Sequence, residues 1–195
     1  MRKIAISLSK GGVGKTTTAV NLSAGLARAG YKVLLIDTDT QGQASRALGV
    51  SSKAGLAELI SGEVTPAEAI HEVRENLYLL AGGRSLAGLK RSIDRKDFGG
   101  ELTLAEGLEP LESSYDYAIL DTAPGWDSLT VNVLFYADEI LSPVSMEILT
   151  VSGLLYFQES IQAIQKYRPE LDLSYILPTF MDGRVKKSEE ILSQL

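Results

Sequence analysis

Short runs of Val, Ile and Leu recur along the chain, separated by longer stretches in which apolar residues return every three or four positions. The runs Lys3–Leu8, Lys32–Ile36, Leu77–Leu80, Tyr117–Leu120, Glu139–Val144 and Leu173–Leu177 are nearly continuous in apolar residues. That is the pattern of parallel strands covered on both faces. The segments Thr16–Ala29, Gly55–Ile60, Thr65–Val73, Leu102–Leu111, Ser128–Tyr136, Thr150–Tyr167 and Lys186–Gln194 carry helical periodicity instead. Alternation of the two predicts an α/β fold, a doubly wound, mostly parallel sheet flanked by helices, with ligands at the carboxyl ends of its strands. No repeat, low-complexity tract or linker interrupts it, and Gly82-Gly83 and Gly99-Gly100 read as loop punctuation inside one domain over residues 1–195. The last helix begins at Lys186-Lys187-Ser188 and the chain stops almost at once. The expectation is either a short protein or one with a further C-terminal segment.

At 195 residues and 45% hydrophobic, the chain can bury an ample core. Charged or glycine residues break every candidate for a membrane span of about 20 apolar residues. Met1-Arg2-Lys3 leads into a short β-branched strand rather than the apolar core of a signal peptide. With no cysteine, disulfides and cysteine-ligated zinc or iron–sulfur sites are excluded. These features predict a cytoplasmic protein. The net charge of −6 argues against a uniformly basic nucleic-acid binder, yet leaves room for a local basic patch.

Candidate chemistry begins directly after the first strand, at Ser9-Lys10-Gly11-Gly12-Val13-Gly14-Lys15-Thr16-Thr17. Glycines there let successive backbone N–H groups turn inward around phosphate oxygens, Lys15 can reach terminal phosphates, and the Thr16 hydroxyl can ligate Mg²⁺. The helix that follows adds the positive end of its dipole. The strict G-x-x-x-x-G-K-[ST] motif fails at Ser9; the chain matches the variant K-G-G-x-G-K-[ST]. That variant carries a second lysine, Lys10, which holding a nucleotide does not require.

Two acidic sites accompany the loop. Leu34-Leu35-Ile36-Asp37-Thr38-Asp39-Thr40-Gln41-Gly42 ends a strand in an Asp-x-Asp pair, whose alternation would aim both carboxylates the same way. Tyr117-Ala118-Ile119-Leu120-Asp121 has the form of a strand whose terminal carboxylate holds Mg²⁺, usually through water. Either aspartate alone could equally be a helix cap. Together, behind a phosphate-binding loop, they predict an ATP–Mg²⁺ site.

Lys10–Thr17, Asp37–Gly42 and Asp121–Pro124 resemble, in order and over essentially the whole chain, the nucleotide motifs of the ParA/MinD group of deviant-Walker ATPases. Leu77–Gly83 with Leu86–Leu89, and Pro143–Glu147 before a helix containing Gly153, are similar to further segments of ParA proteins. Asp37-Thr38-Asp39-Thr40-Gln41-Gly42-Gln43 is closest to the Soj-like partition branch, with Thr40 for the usual Pro and Gln43 for the usual Asn. Ser9 stands for the family's frequent Gln or Gly.

The resemblance implies a Mg²⁺-dependent ATPase that dimerises face to face on ATP, binds double-stranded DNA without sequence preference, and segregates plasmid or chromosomal DNA or positions other cargo. It implies a ParB-like or other adaptor that stimulates slow hydrolysis, a nucleoid-associated location, and no membrane contact. Lys10 would reach the partner's phosphates, Asp39 would position the attacking water, and Asp37 would stand in the outer shell of Mg²⁺. Spacing alone does not decide which aspartate does which. Lys10, Gly11, Gly12, Val13, Gly14, Lys15, Thr16 and Thr17 would hold the nucleotide, Thr16, Asp37 and Asp121 the metal, and Pro178 and Thr179 the adenine. Arg184, Lys186 and Lys187 would contact DNA phosphates.

A second cluster, Lys90, Arg91, Arg95 and Lys96, reads as a solvated face, and His71, within the Thr65–Val73 stretch, as a surface residue. Trp126 is expected to pack near an interface rather than stack on a base. The alternative within the group is a MinD-like membrane switch regulating division-site placement, which needs a C-terminal amphipathic helix. The absence of cysteine excludes the iron–sulfur branches, and a metabolic P-loop kinase leaves Lys10 unexplained.

Overall fold

The computed structural model describes residues 1–181, with the backbone alone over 148–152. Its strands are β1 (Arg2–Ile6), β2 (Val33–Asp37), β3 (Ile70–Arg74), β4 (Leu77–Leu80), β5 (Tyr117–Asp121), β6 (Glu139–Ser145) and β7 (Asp172–Thr179). They form one sheet in the order β3-β4-β2-β5-β1-β6-β7, parallel throughout except for β3 against β4. The helices are α1 (Lys15–Arg28), α2 (Gln43–Ala47), α3 (Leu56–Ile60), α4 (Pro66–Ala69), α5 (Leu86–Asp94), α6 (Thr103–Leu108), α7 (Ser128–Tyr136) and α8 (Ile148–Gln165). Short 3₁₀ turns flank α6, so the expected helix over Leu102–Leu111 is one helical turn extended at both ends.

Alternate residues of the central strands supply two separate apolar layers, as the period of a strand requires. Ile4, Ile6, Val33, Leu35 and Ile119 face one way and meet α1 through Ala19 and Ala27 and α2 through Ala44. Ala5, Leu34, Ile36, Ala118 and Leu120 face the other way, under Leu86, Leu89 and Ile93 of α5, Val133 and Leu134 of α7, and Phe157 and Ile161 of α8. The sheet is thus sandwiched between helices, as the sequence predicts.

The helix expected over Thr65–Val73 is not one helix. Pro66 opens α4, and Glu68 closes a capping box by accepting from the Thr65 N–H at 2.8 Å and the Thr65 hydroxyl at 2.7 Å. The helix ends at Ala69. Ile70–Arg74 runs extended as an antiparallel edge strand, returning through Asn76 at φ 62°. His71 therefore lies on a strand, its Nε2 2.6 Å from the Ser52 hydroxyl. Charged residues on that strand suit an edge, where they oppose pairing with another sheet. The helix expected over Lys186–Gln194 lies outside the described residues.

Among the described residues, no helix is long and apolar enough to cross a membrane.

Candidate nucleotide site

β1 and β5 end side by side in the middle of the sheet, and the loop from β1 to α1 closes over their carboxyl ends. Gly14 caps α1 at φ 95°, a left-handed conformation that favours glycine and turns the loop into the helix axis. A cleft of about 270 Å³ opens here, lined by Gly11, Gly12, Gly14, Lys15, Thr16, Thr17, Asp39, Gln43, Thr122, Pro124 and Phe180. The first six belong to the loop the sequence singles out.

Lys15 is buried, and its Nζ donates to the carbonyls of Leu8 at 3.0 Å and Lys10 at 2.7 Å. Burial lowers its pKa, while the charges of Asp121 and Asp39 pull the other way. The ammonium is thus held at the floor of the loop by carbonyls that a more strongly attracting phosphate can replace. Lys10 lies at the loop's outer end, and its Nζ reaches the Glu147 carboxylate at 2.9 Å, at the start of α8.

The aspartates occupy different surroundings. Asp37 and Asp121 are register partners across β2 and β5, and Ile6 partners Asp121 on its other side. Both carboxylates are fully buried. Neither Asp121 oxygen accepts a hydrogen bond of ordinary geometry among the described residues, although the Thr16 hydroxyl lies near enough to favour the charged form. Burial pushes its pKa up to about 7; Asp37 and Asp39 reinforce the rise, and Thr16 and Lys15 oppose it. A buried carboxylate with spare oxygens beside a threonine hydroxyl is a donor set for a hard divalent cation. No group of three or more His, Cys, Asp or Glu among the described residues is arranged to hold a metal alone. Mg²⁺ fits that scarcity, since it keeps several waters and takes phosphate oxygens with only one or two protein ligands.

Strand geometry stops at Asp37, so the alternation expected to aim Asp37 and Asp39 together does not extend to Asp39. Asp37 Oδ1 accepts the Asp39 N–H at 3.0 Å, and Oδ2 accepts from Ala44 N at 3.1 Å and from Ser45 N and Oγ at 3.3 Å each. Its carboxylate braces the start of α2 and does not line the cleft. Burial raises its pKa even so. Asp39 does line the cleft, its Oδ1 accepting from Gln41 N at 2.9 Å and its carbonyl from Gly83 N at 3.0 Å.

Hydroxyls fix the strand ends. Thr38 Oγ1 donates to the Asp121 carbonyl at 2.7 Å, and Thr122 Oγ1 to the Ile6 carbonyl at 2.9 Å. Gly125 N donates to the Ser9 carbonyl at 3.0 Å, tying the segment after β5 to the mouth of the loop. Gly82 lies so close to β2 that an added Cβ would stand 2.5 Å from the Asp37 carbonyl oxygen. Asp127 caps α7 through Thr130 N at 2.9 Å and pairs with Lys90 of α5 at 2.6 Å.

Thr179, expected at the adenine, donates its hydroxyl to the Val13 carbonyl at 2.9 Å and so ties the end of β7 to the loop. Pro178, its neighbour, pairs in register with Val144 of β6 and is not a cleft residue. The side chain lining the cleft from this corner is Phe180, at φ 53°, which the sequence reading passed over. Trp126 packs edge-on against Phe157, with ring centroids 6.0 Å apart. Glu147, at the start of α8, has no role that the sequence alone marks. Arg184, Lys186 and Lys187 lie outside the described residues.

A family model described as an AAA domain matches residues 1–173. The chain is 38% identical to the chromosome-partitioning ATPase Soj of Thermus thermophilus over 198 residues, covering 100% of this chain and 76% of that protein. It is 34% identical to the sporulation initiation inhibitor protein Soj of Bacillus subtilis, covering 98% and 78%. Among solved structures, cobyrinic acid a,c-diamide synthase from Mycobacterium smegmatis with bound ADP and magnesium matches at TM-score 0.93 and 32% identity, over 100% of this chain and 80% of that one. A plasmid partition protein from Borrelia burgdorferi matches at TM-score 0.87 and 27% identity, over 100% and 84%. With the loop, the two aspartate sites and this similarity over its whole length, the chain belongs to the Soj/ParA family of partitioning ATPases.

Proposed function

We propose that this protein is an ATP-driven dimerisation switch that binds duplex DNA without sequence preference and thereby segregates plasmid or chromosomal DNA or positions another cargo at the nucleoid. The observation that carries it is the pair of lysines. Lys15 is committed to the floor of the loop, whereas Lys10 stands at the loop's outer end with its ammonium on the Glu147 carboxylate, where a second nucleotide can compete for it. A face-to-face homodimer brings such a nucleotide to it. An ammonium on a flexible stem then neutralises charge that develops on the transferred phosphoryl group of the partner site.

Within one cleft, Lys10, Gly11, Gly12, Val13, Gly14, Lys15, Thr16 and Thr17 hold the triphosphate. Thr16 and Asp121 would hold Mg²⁺, with Asp37 behind Asp121 adding negative charge to that corner rather than an oxygen ligand. Bound there, Mg²⁺ supplies charge neutralisation across the terminal phosphates. Asp39 accepts a hydrogen bond from the attacking water and orients it. Thr179 and Phe180 close the cleft where a base can lie. Binding of ATP shifts the monomer–dimer equilibrium only because the dimer interacts with ATP better than the monomer does. A ParB-like or other adaptor that speeds hydrolysis resets the switch.

The test is ATPase rate and oligomeric state, with and without duplex DNA and with anionic vesicles. A dimer that requires ATP, and a DNA-dependent response, support the reading. A monomer under all nucleotide conditions, or a response to vesicles alone, overturns it.

A further inference from the structure

Helix α5 carries an arginine row that the nucleotide chemistry does not use. Leu86, Leu89 and Ile93 are its buried side. On the opposite side, Arg84, Arg91 and Arg95 are all exposed. Ala87 N bonds the Arg84 carbonyl at 3.1 Å, and Ser85 and Arg95 keep right-handed helical dihedrals. Arg91 lies on α5 and Arg95 is its C-cap, while Arg84 lies in the turn that leads into the helix. At 100° per residue Arg91 and Arg95 lie about 40° apart on one face, and Arg84 joins Arg91 in lining the groove beside it. Gly88 sits between them, where an added Cβ would meet only the Arg91 guanidinium at 4.0 Å. The middle of the row is thus flat.

Lys90 and Lys96 flank the row and are engaged, with Asp127 and with the Thr103 hydroxyl. The guanidinium groups of the three arginines make no hydrogen bond or ion pair among the described residues. In a chain of net charge −6, three neighbouring arginines without an ion-pair partner concentrate positive potential on one patch. A groove of about 510 Å³ runs beside the row, lined by Thr40, Gln41, Arg84, Ala87, Lys90, Arg91 and Asp94, so it reaches the loop that carries Asp39.

We propose that the row of Arg84, Arg91 and Arg95, on α5 and at its two ends, is a contact surface for the phosphate backbone of duplex DNA. This rests on the DNA-binding reading above and gives it a location. Duplex DNA presents one charge per about 1.7 Å of axis, so each of three neighbouring guanidinium groups finds a phosphate within reach. Arginine suits that contact because its planar fork donates to two phosphate oxygens at once. The row holds no side chain that reads bases from within a groove, so it contributes affinity and not sequence preference. A lipid surface fits less well: the apolar face an amphipathic helix would insert is already buried against the sheet.

The test compares the full chain with Arg84→Gln/Arg91→Gln/Arg95→Gln, by fluorescence anisotropy on two unrelated labelled duplexes with ATP and Mg²⁺ across a salt series. Circular dichroism and the thermal midpoint confirm that the variant folds. The expected result is at least a tenfold loss of affinity at low salt, equal on both duplexes, with the slope of log K against log salt reduced by about 2.7 for three lost phosphate contacts. Arg→Lys at the same positions restores most of the slope. Arg28→Gln/Arg74→Gln, at the opposite end of the sheet, leaves it unchanged. An unchanged slope in the triple Gln variant, beside a wild type that binds DNA, overturns the row alone. A wild type that binds neither duplex overturns the DNA reading and the row with it. Loss of binding to anionic vesicles with DNA binding intact also overturns the row.

Discussion

Lys10 and Glu147 form an ion pair within one chain, Nζ to Oε2 at 2.9 Å, across the mouth of the phosphate-binding loop. The lysine proposed to act on a second subunit's nucleotide is therefore held in cis. Glu147 is largely exposed, so the pair is worth at most about 1 kcal/mol. Because a symmetric dimer releases two such pairs, Glu147→Gln is expected to lower the protein concentration at which ATP drives dimerisation by up to about thirtyfold. Lys10→Ala is expected to bind ATP and stay monomeric. Analytical ultracentrifugation over a concentration series reads both.

Lys15→Ala removes the ammonium that the Leu8 and Lys10 carbonyls hold inside the loop. Loss of the counter-charge to the terminal phosphates is expected to weaken ATP at least a hundredfold, about 3 kcal/mol. Isothermal titration with a non-hydrolysable analogue measures it. Unchanged affinity would reject the loop as the phosphate site.

Asp121 links pH to both stability and metal binding. Its folded pKa of about 7 lies above the ordinary 3.8, because burial disfavours the charge. The penalty is absent below the unfolded value, grows by about 1.4 kcal/mol per unit as pH rises through that window, and is complete above 7. Asp121→Asn is accordingly expected to raise the thermal midpoint of the nucleotide-free protein more at pH 8 than at pH 5. Mg²⁺ needs the ionised carboxylate, so its apparent affinity in the wild type is expected to fall as pH drops below 7. Differential scanning fluorimetry at the two pH values, with and without Mg²⁺ and ATP, checks both signs.

Asp39→Ala is expected to bind ATP within a fewfold of wild type while turnover falls at least about a hundredfold, the scale of a lost proton-handling group. The ATP-bound dimer then accumulates on sizing chromatography. A variant that turns over normally would take Asp39 out of the water-positioning role.

Gly82→Ala tests packing rather than chemistry. Its Cβ would stand 2.5 Å from the Asp37 carbonyl oxygen and 2.8 Å from Asp37 Oδ1, and neither group is free to move. Overpacking of this kind costs about 1–3 kcal/mol. A lower thermal midpoint with slower turnover is expected, because Gly83 holds the Asp39 carbonyl.

The cleft was legible in the sequence where chemistry dictates local spacing. Gly11, Gly12, Gly14, Lys15, Thr16, Thr17 and Asp39 line one cleft and Asp121 ends β5 beside it, because a phosphate loop and a strand-end carboxylate are defined by immediate neighbours. What escaped depended on partners distant in sequence. Asp37 resembles Asp121 until α2 is known to start six residues later and take its oxygens. Such a five-residue helix leaves almost no periodic signal. α5 was missed although Leu86, Leu89 and Ile93 recur at helical spacing, because Gly88 interrupts a helix of only nine residues. β3 was hidden by the helix start at Thr65-Pro66, whose capping signal is genuine but serves only four residues. Phe180 carries no pattern at all, because the end of β7, tied to Val13 by Thr179, brings it to the cleft.

The Lys90–Asp127 pair joins parts of the molecule with different assignments. Asp127 follows the segment that Gly125 fastens to the phosphate loop, and Lys90 is on the helix of the arginine row. A partly exposed ion pair therefore joins the face proposed to hold nucleotide and the face proposed to meet DNA phosphates. Partly exposed pairs are cheap to alter and sensitive to ionic strength. Relatives of this chain could retune how tightly the two faces inform one another by exchanging one charge there, leaving the core and both contact surfaces as they are.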